Sequence, residues 1–302
     1  MPTAEDRAFW LRKIAKLTVD RARGDPAPHK PILLLVVCEL AEIGMLDPDN
    51  FPLTGELAFR FAAYWTVVAH RRSQPQDVRM PFFHLKSAGF WHPLDKEGKR
   101  AAAKNVTTAA AFDQGFRECL GDPEFRRQAR LILVMTYFQP LEQVALASLL
   151  NLDVPSQNVV SEHLPDLNEE SAAQKGREAR FRLTVVPAYD YTCALTRYRL
   201  VTVNSGCIVD AAHIHKFADS RSNDPRNGLA LSKNAHWLFD QGLWSLDDDY
   251  RVIVAHDRFE EAGPSGQLLR ELDHAEIFPP IDPAYLPSRQ CLAWHRNHHG
   301  FN

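Results

Sequence analysis

Four side chains in the C-terminal half are of the right type and spacing to cleave a phosphodiester. They are His213, Asn227, His236 and Asp240, with a spacing of 14 from His213 to Asn227 and of 9 from Asn227 to His236. His236 and Asp240 are four apart, so on a helix both project from one face. An imidazole and a carboxylate so placed can share one divalent cation, Mg2+ or Mn2+, leaving positions for phosphate oxygens and water. His213, if not itself a ligand, can take a proton from an attacking water. His215 lies on the same strand face as His213 and reads as substrate-contacting or structural.

The flanking pattern supplies elements to hold these groups. Cys207–Ile214 alternates into a strand that delivers His213, and the polar stretch His215–Arg226 follows as a loop. Gly228–Ser232 reads as a second strand. Ser232 can then N-cap a helix from Lys233 to about Asp240, which Gly242 stops. Trp244–Val254 has the pattern of a hairpin. The terminal His295-Arg-Asn-His298-His299 reads as an exposed polar end, with metal binding as the alternative.

Upstream the periodicity is mainly helical. Helices are expected over about 3–23, from His29-Lys30-Pro31 through Ile43, over about 54–70, and near 107–120 and 122–137. Ile32–Val37 is apolar all round, which places the second of these at the centre of a core. Residues 80–94 read as two short strands around Ser87-Ala-Gly89. Residues 151–175 carry one Lys against five Asp and Glu and have no periodicity, as a linker would. The expected fold class is therefore α+β. A mainly helical domain with a small sheet spans 1–150, a linker spans 151–175, and a ββα domain spans 176–302.

With 302 residues, 45% of them apolar, there is material for two packed cores. The longest aliphatic run is too short to span a bilayer, and no secretory signal is visible after Met1. The five cysteines never form a C-x-x-C pair, which argues for reduced thiols in a cytoplasmic protein and against a zinc ribbon. The net charge of −3 is uneven: residues 1–150 hold 20 basic against 17 acidic side chains, and 151–302 hold 15 against 21. Residues 69–104 hold 8 basic against 3 acidic, including Arg71, Arg72, Arg79, Lys86 and Lys104. A local basic surface of this kind permits phosphate contact whatever the overall charge.

At Asp210-Ala-Ala-His213, Asn227 and His236-Trp-Leu-Phe-Asp240 the chain resembles the HNH endonucleases with a ββα-metal core. The resemblance implies that His213 is the general base, that Asn227 fixes the loop between the strands, and that His236 and Asp240 are metal ligands. Many members carry a ligand immediately before the base, where this chain has Ala212. Asp210, two residues earlier, is the candidate to replace it. Ala27–Leu35, with Arg79-Met-Pro-Phe-Phe-His-Leu85 and Gly89-Phe-Trp91, resembles the sulfur-binding domain of modification-dependent restriction enzymes. That resemblance implies that His29 and Lys30 contact the backbone of double-stranded, phosphorothioate-modified DNA, and Arg79, within the same motif, is a further DNA-binding candidate. The resemblance also implies that Met80, Pro81 and His84 surround the sulfur.

Together these imply a modification-dependent restriction endonuclease. One active site handles one strand, so double-strand cleavage calls for two chains, as in a homodimer, or two binding events. The alternatives are a sequence-specific HNH enzyme acting on unmodified DNA and a non-cleaving DNA-binding protein with a degenerate metal site.

Overall fold

The apolar run at 32–37 becomes a deeply buried stretch of helix. In the computed structural model, residues 2–22, 24–47, 49–68, 76–153 and 168–301 are described. They form two compact units, 1–179 with 202–206, and 180–201 with 207–302.

The first unit opens with α1 (Ala4–Ala15) and α2 (His29–Glu42), in which Ile32, Leu33, Leu35, Val36 and Val37 have no solvent exposure. Pro31 sits in the first turn of α2, where a missing N–H costs nothing. Next come β1 (Phe51–Pro52), α3 (Gly55–Trp65), α4 (Arg79–His84), β2 (Trp91–Leu94) and β3 (Ala109–Phe112). The unit then runs through α5 (Gln114–Leu120), α6 (Pro123–Tyr137), α7 (Pro140–Leu150) and α8 (Glu169–Ala188), whose later residues belong to the second unit. β3 is the centre of a three-stranded antiparallel sheet, flanked by β1 and β2. Phe51, Phe82, Trp91 and Phe112 form an aromatic core over it, and the Trp91 indole donates to the Phe82 carbonyl at 2.7 Å.

Several expectations from sequence are corrected. Helix α1 ends at Ala15 rather than near 23, because the Leu17 amide is taken by the Tyr137 hydroxyl at 2.8 Å. Arg79–His84 is helical, not a strand. Asp77 accepts from the Arg79 amide at its start, and an apolar Pro-Phe-Phe run does not by itself distinguish the two states. Ala109–Phe112, expected as helix, is a strand because it is hydrogen-bonded on both sides, where tertiary pairing overrides the propensity of alanine. Helix α7 is a further helix within the expected span 1–150, beyond those the periodicity singled out. Glu169–Lys175, expected within the linker, forms the first turns of α8; residues 154–167 of that stretch lie outside the described residues, as do Arg71 and Arg72.

The second unit follows the sequence more closely. After the short ladder β4 (Val201–Thr202) and β5 (Gly206–Cys207), whose residues 202–206 belong to the first unit, come β6 (Val209–His213), the one-turn α9 (Phe217–Ser220), β7 (Gly228–Ser232) and α10 (Lys233–Asp240). The hairpin β8 (Trp244–Leu246) and β9 (Val252–Val254) and a terminal α11 (Arg289–His299) complete it. The exposed polar end expected at His295–His299 is thus the last part of a helix, with His295 only 2% exposed. All five cysteines are free, and among the described residues no helix is long and apolar enough to cross a membrane.

Candidate functional site

Strands β6 and β7 are antiparallel with His213 opposite Gly228 and Asp210 opposite Leu231, and β7 runs directly into α10. Gly228 is required at the His213 register. A Cβ there would approach Val185 Cγ2 to 2.6 Å and Phe181 Cζ to 2.8 Å, so β7 lies against α8 with no room for a side chain. Ser232 occupies the N-cap position of α10, but its hydroxyl makes no bond to the helix. Gly242, at φ +64°, lies in the left-handed region just beyond the helix.

His213 is half-buried with its ring flat on Phe181, the centroids 4.0 Å apart and the planes 6° from parallel. Its Nε2 lies 3.0 Å from Asn223 Oδ1. A carboxamide oxygen only accepts, so the neutral ring carries its proton at Nε2 and its basic nitrogen is Nδ1. Neither Phe181 nor Asn223 was identifiable from sequence, since each acts through a contact set by the fold.

Asn227 is 1% exposed, with its carboxamide bonded across the loop between β6 and β7. Its Oδ1 accepts from the His215 amide at 2.8 Å, and its Nδ2 donates to the carbonyls of His215 (2.9 Å) and Ser222 (3.3 Å). The His215 ring itself stacks on Trp294, which gives it a structural place. Asn227→Ala should lower unfolding free energy by about 2–4 kcal/mol, because a buried amide and two carbonyls lose their partners. Asn227→Asp should cost at least as much, since a carboxylate oxygen would face two carbonyls. Urea unfolding checks both, and midpoints equal to that of the parent chain would contradict this role.

On α10, His236 Nε2 and Asp240 Oδ2 stand 3.4 Å apart, one turn from each other and partly solvent-exposed. A nitrogen and a carboxylate oxygen in this arrangement fit a divalent cation that keeps other positions for water and phosphate. The third expected ligand is not brought to them. Asp210 is instead paired with Arg182 of α8 at 2.8 Å, and no group of three or more His, Cys, Asp or Glu among the described residues is placed to hold a metal. Ala212 is fully buried, so its position is given over to the core.

The first unit contains a cavity of about 660 Å³ whose lining includes His29, Lys30, Met80, Pro81, His84 and Lys104. It unites five of the six residues expected to contact DNA. Arg79 is the exception: its guanidinium is held by the Asp77 carboxylate at 2.8 and 3.1 Å, and it does not line the space. Lys30 Nζ donates to the Thr18 carbonyl (2.7 Å) and to Ser87 Oγ (2.8 Å), tying two walls together, and desolvation lowers its pKa. His84 is held below the usual histidine value by burial and then by the nearby cations Lys30, Lys86 and Lys104, so its ring is neutral at pH 7. Lys104 was counted only among the basic residues of 69–104. Its Nζ lies 3.2 Å from Met80 Sδ and 3.5 Å from Asp77 Oδ2. The space is thus lined by proline, methionine and imidazole, together with two lysines and the carboxylate residues Asp20 and Asp77.

Among solved structures, the modification-dependent TagI restriction endonuclease is similar to this chain at 18% identity over 49% of it, with a TM-score of 0.31. This chain spans 44% of that enzyme. The sulfur-binding domain of SprMcrA, solved with phosphorothioated DNA, is similar at 18% identity over 46% of this chain and 91% of its own, with a TM-score of 0.36. No curated protein matches. Residues 193–247, which contain β6, β7 and α10, match the family model of the HNH endonucleases.

Proposed function

We propose that this chain is a modification-dependent DNA endonuclease whose first unit reads phosphorothioated duplex DNA and whose second unit hydrolyses a phosphodiester nearby. The observation that carries the nuclease half is the delivery of His213, Asn227 and His236 from a β-β-α run within the HNH-matching segment. In this reading His213 accepts the proton of the attacking water at Nδ1, and Asn223 holds the ring in the tautomer that allows it. Asn227 keeps the intervening loop in shape. A Mg2+ or Mn2+ ion bound by His236 and Asp240 would neutralise charge on the scissile phosphate and its leaving oxygen.

For the reader half, the support is the chemistry of the cavity. Sulfur is larger, softer and less well hydrated than oxygen, so contact with Pro81 and Met80 favours it by desolvation. Lys30 and Lys104 supply attraction for the phosphate that carries it. A volume of about 660 Å³ exceeds a single sulfur atom by far and is of the size that admits a whole nucleotide unit. One observation favours the second reading, a non-cleaving DNA-binding protein: the pairing of Asp210 with Arg182 leaves the metal pair without a third protein ligand among the described residues.

Metal dependence separates the two. Cleavage of phosphorothioated plasmid should appear with Mg2+ or Mn2+ and stop with EDTA. His236→Ala should lower the rate at least about 100-fold, as loss of a metal ligand does. No cleavage with any divalent metal would support the non-cleaving reading.

A further inference from the structure

Helix α11 touches both halves of the candidate nuclease site through three stacked rings and one buried imidazole. Its Trp294 lies between His215 and His298, with centroids 4.0 and 4.6 Å away and planes within 19° and 14° of parallel. His215 is the residue whose backbone Asn227 grips on both its N–H and C=O. One position on, His295 stacks on Phe239 of α10 at 3.7 Å and 7°. Its Nε2 lies 3.2 Å from the Phe239 carbonyl and its Nδ1 2.9 Å from Ser245 Oγ in β8.

The protonation of this ring follows from its partners. Phe239 O can only accept, so Nε2 carries a hydrogen and donates it. Nδ1 then accepts from the Ser245 hydroxyl, and the ring is neutral. Burial, followed by the neighbouring His299, pushes its pKa down to about 3, consistent with that assignment. The bond lands on a carbonyl in the last turn of α10, one residue before Asp240. That carbonyl already accepts from the Gly242 amide at 2.9 Å, so His295 is not needed to satisfy it. What the second bond adds is a fixed direction for the end of the helix that carries His236 and Asp240.

We propose that His295 is a positioning residue of the nuclease site, locking the C-terminal turn of α10 through the Phe239 carbonyl so that His236 and Asp240 keep their cation-binding geometry. Trp294 does the same for the loop between β6 and β7 through His215. This rests on the reading of His236 and Asp240 as the metal pair.

The test uses the full chain and Mn2+ alone as the probe. The double variant His295→Phe, Ser245→Ala keeps a ring on Phe239 and removes the hydroxyl that would otherwise be orphaned; replacing both partners of a buried bond in this way is close to neutral for stability. We expect its melting temperature to stay near that of the parent. We also expect Mn2+ affinity, followed by the EPR signal of free Mn2+, to weaken about 10-fold, as loss of an outer-shell partner does. The kcat for DNA cleavage should fall to a similar degree with KM unchanged. His295→Gln, which retains a donor toward Phe239 O, should recover most of both. A correctly folded double variant with parental Mn2+ affinity and kcat would overturn the proposal.

If the double variant unfolds, His295→Gln alone decides: parental affinity and kcat support the proposal, and a 10-fold loss of both overturns it. Should the parent chain bind Mn2+ no better than His236→Ala, the metal-pair reading fails on its own. Amide exchange at Gly242 then decides, at least 10-fold faster in the double variant if His295 holds the turn and unchanged if it does not.

Discussion

His213→Ala should abolish DNA cleavage while leaving DNA binding within about twofold of the parent chain. A positioned general base contributes on the order of 10²–10⁴ in rate, and no other imidazole replaces it on β6. His215, two residues on, has its ring stacked on Trp294 and its backbone held by Asn227. Binding is retained because the cavity proposed to read DNA lies in the first unit and contains none of the β6, β7 or α10 residues. Removing the ring uncovers Phe181, so thermal melting accompanies the assay to show that the variant is folded. Metal-dependent nicking by the pure variant at more than a tenth of the parental rate would remove His213 from the catalytic role.

The second large effect separates affinity from selectivity in the cavity. Lys30→Met keeps the aliphatic stem and removes the charge that ties Thr18 to Ser87. It should weaken binding about 10-fold to phosphorothioated and ordinary duplexes alike and lower the salt slope by about one, as loss of a phosphate contact does. Pro81→Ser should do the reverse. Proline at the third position of α4 offers an apolar ring without an N–H, and serine introduces a hydroxyl that bonds to oxygen better than to sulfur. The preference for the phosphorothioated duplex should fall about 10-fold, with affinity for the ordinary duplex little changed. Fluorescence anisotropy at one fixed salt concentration measures both variants. Loss of selectivity in Lys30→Met with none in Pro81→Ser would reverse the assignment.

The parts of the site legible in the sequence were those governed by local rules. Alternation through 207–214, the polar stretch, Gly228 and Gly242 place His213, Asn227 and the His236–Asp240 face, and the structure keeps both strands and the helix, with the one-turn α9 inside the expected loop and no capping bond from Ser232. His29-Lys30-Pro31 opens α2 because proline is tolerated in a first turn. What was not legible depends on partners distant in sequence. Asp210 is taken by Arg182, 28 residues away, so its spacing from His213 suggested a ligand that the fold diverts. The Met80–Phe83 run is as apolar as a strand but is helical, which turns Met80, Pro81 and His84 toward one space with Lys104. His295 looked like part of a polar tail because the groups that bury it, Phe239 and Ser245, lie about fifty residues upstream. Helix α11 shows that histidine content alone cannot separate a solvated end from a buried brace.

The proposed function requires that the modification read by the first unit decide whether the second unit cuts. Two preparations of one supercoiled plasmid, identical in sequence and differing only in phosphorothioate content, are incubated with the chain at fixed salt in Mg2+ and in Mn2+. Nicked or linear product is expected from the modified plasmid, none from the unmodified one, and none from either with His213→Ala. Equal cleavage of both plasmids, or cleavage of neither in either metal, would contradict it.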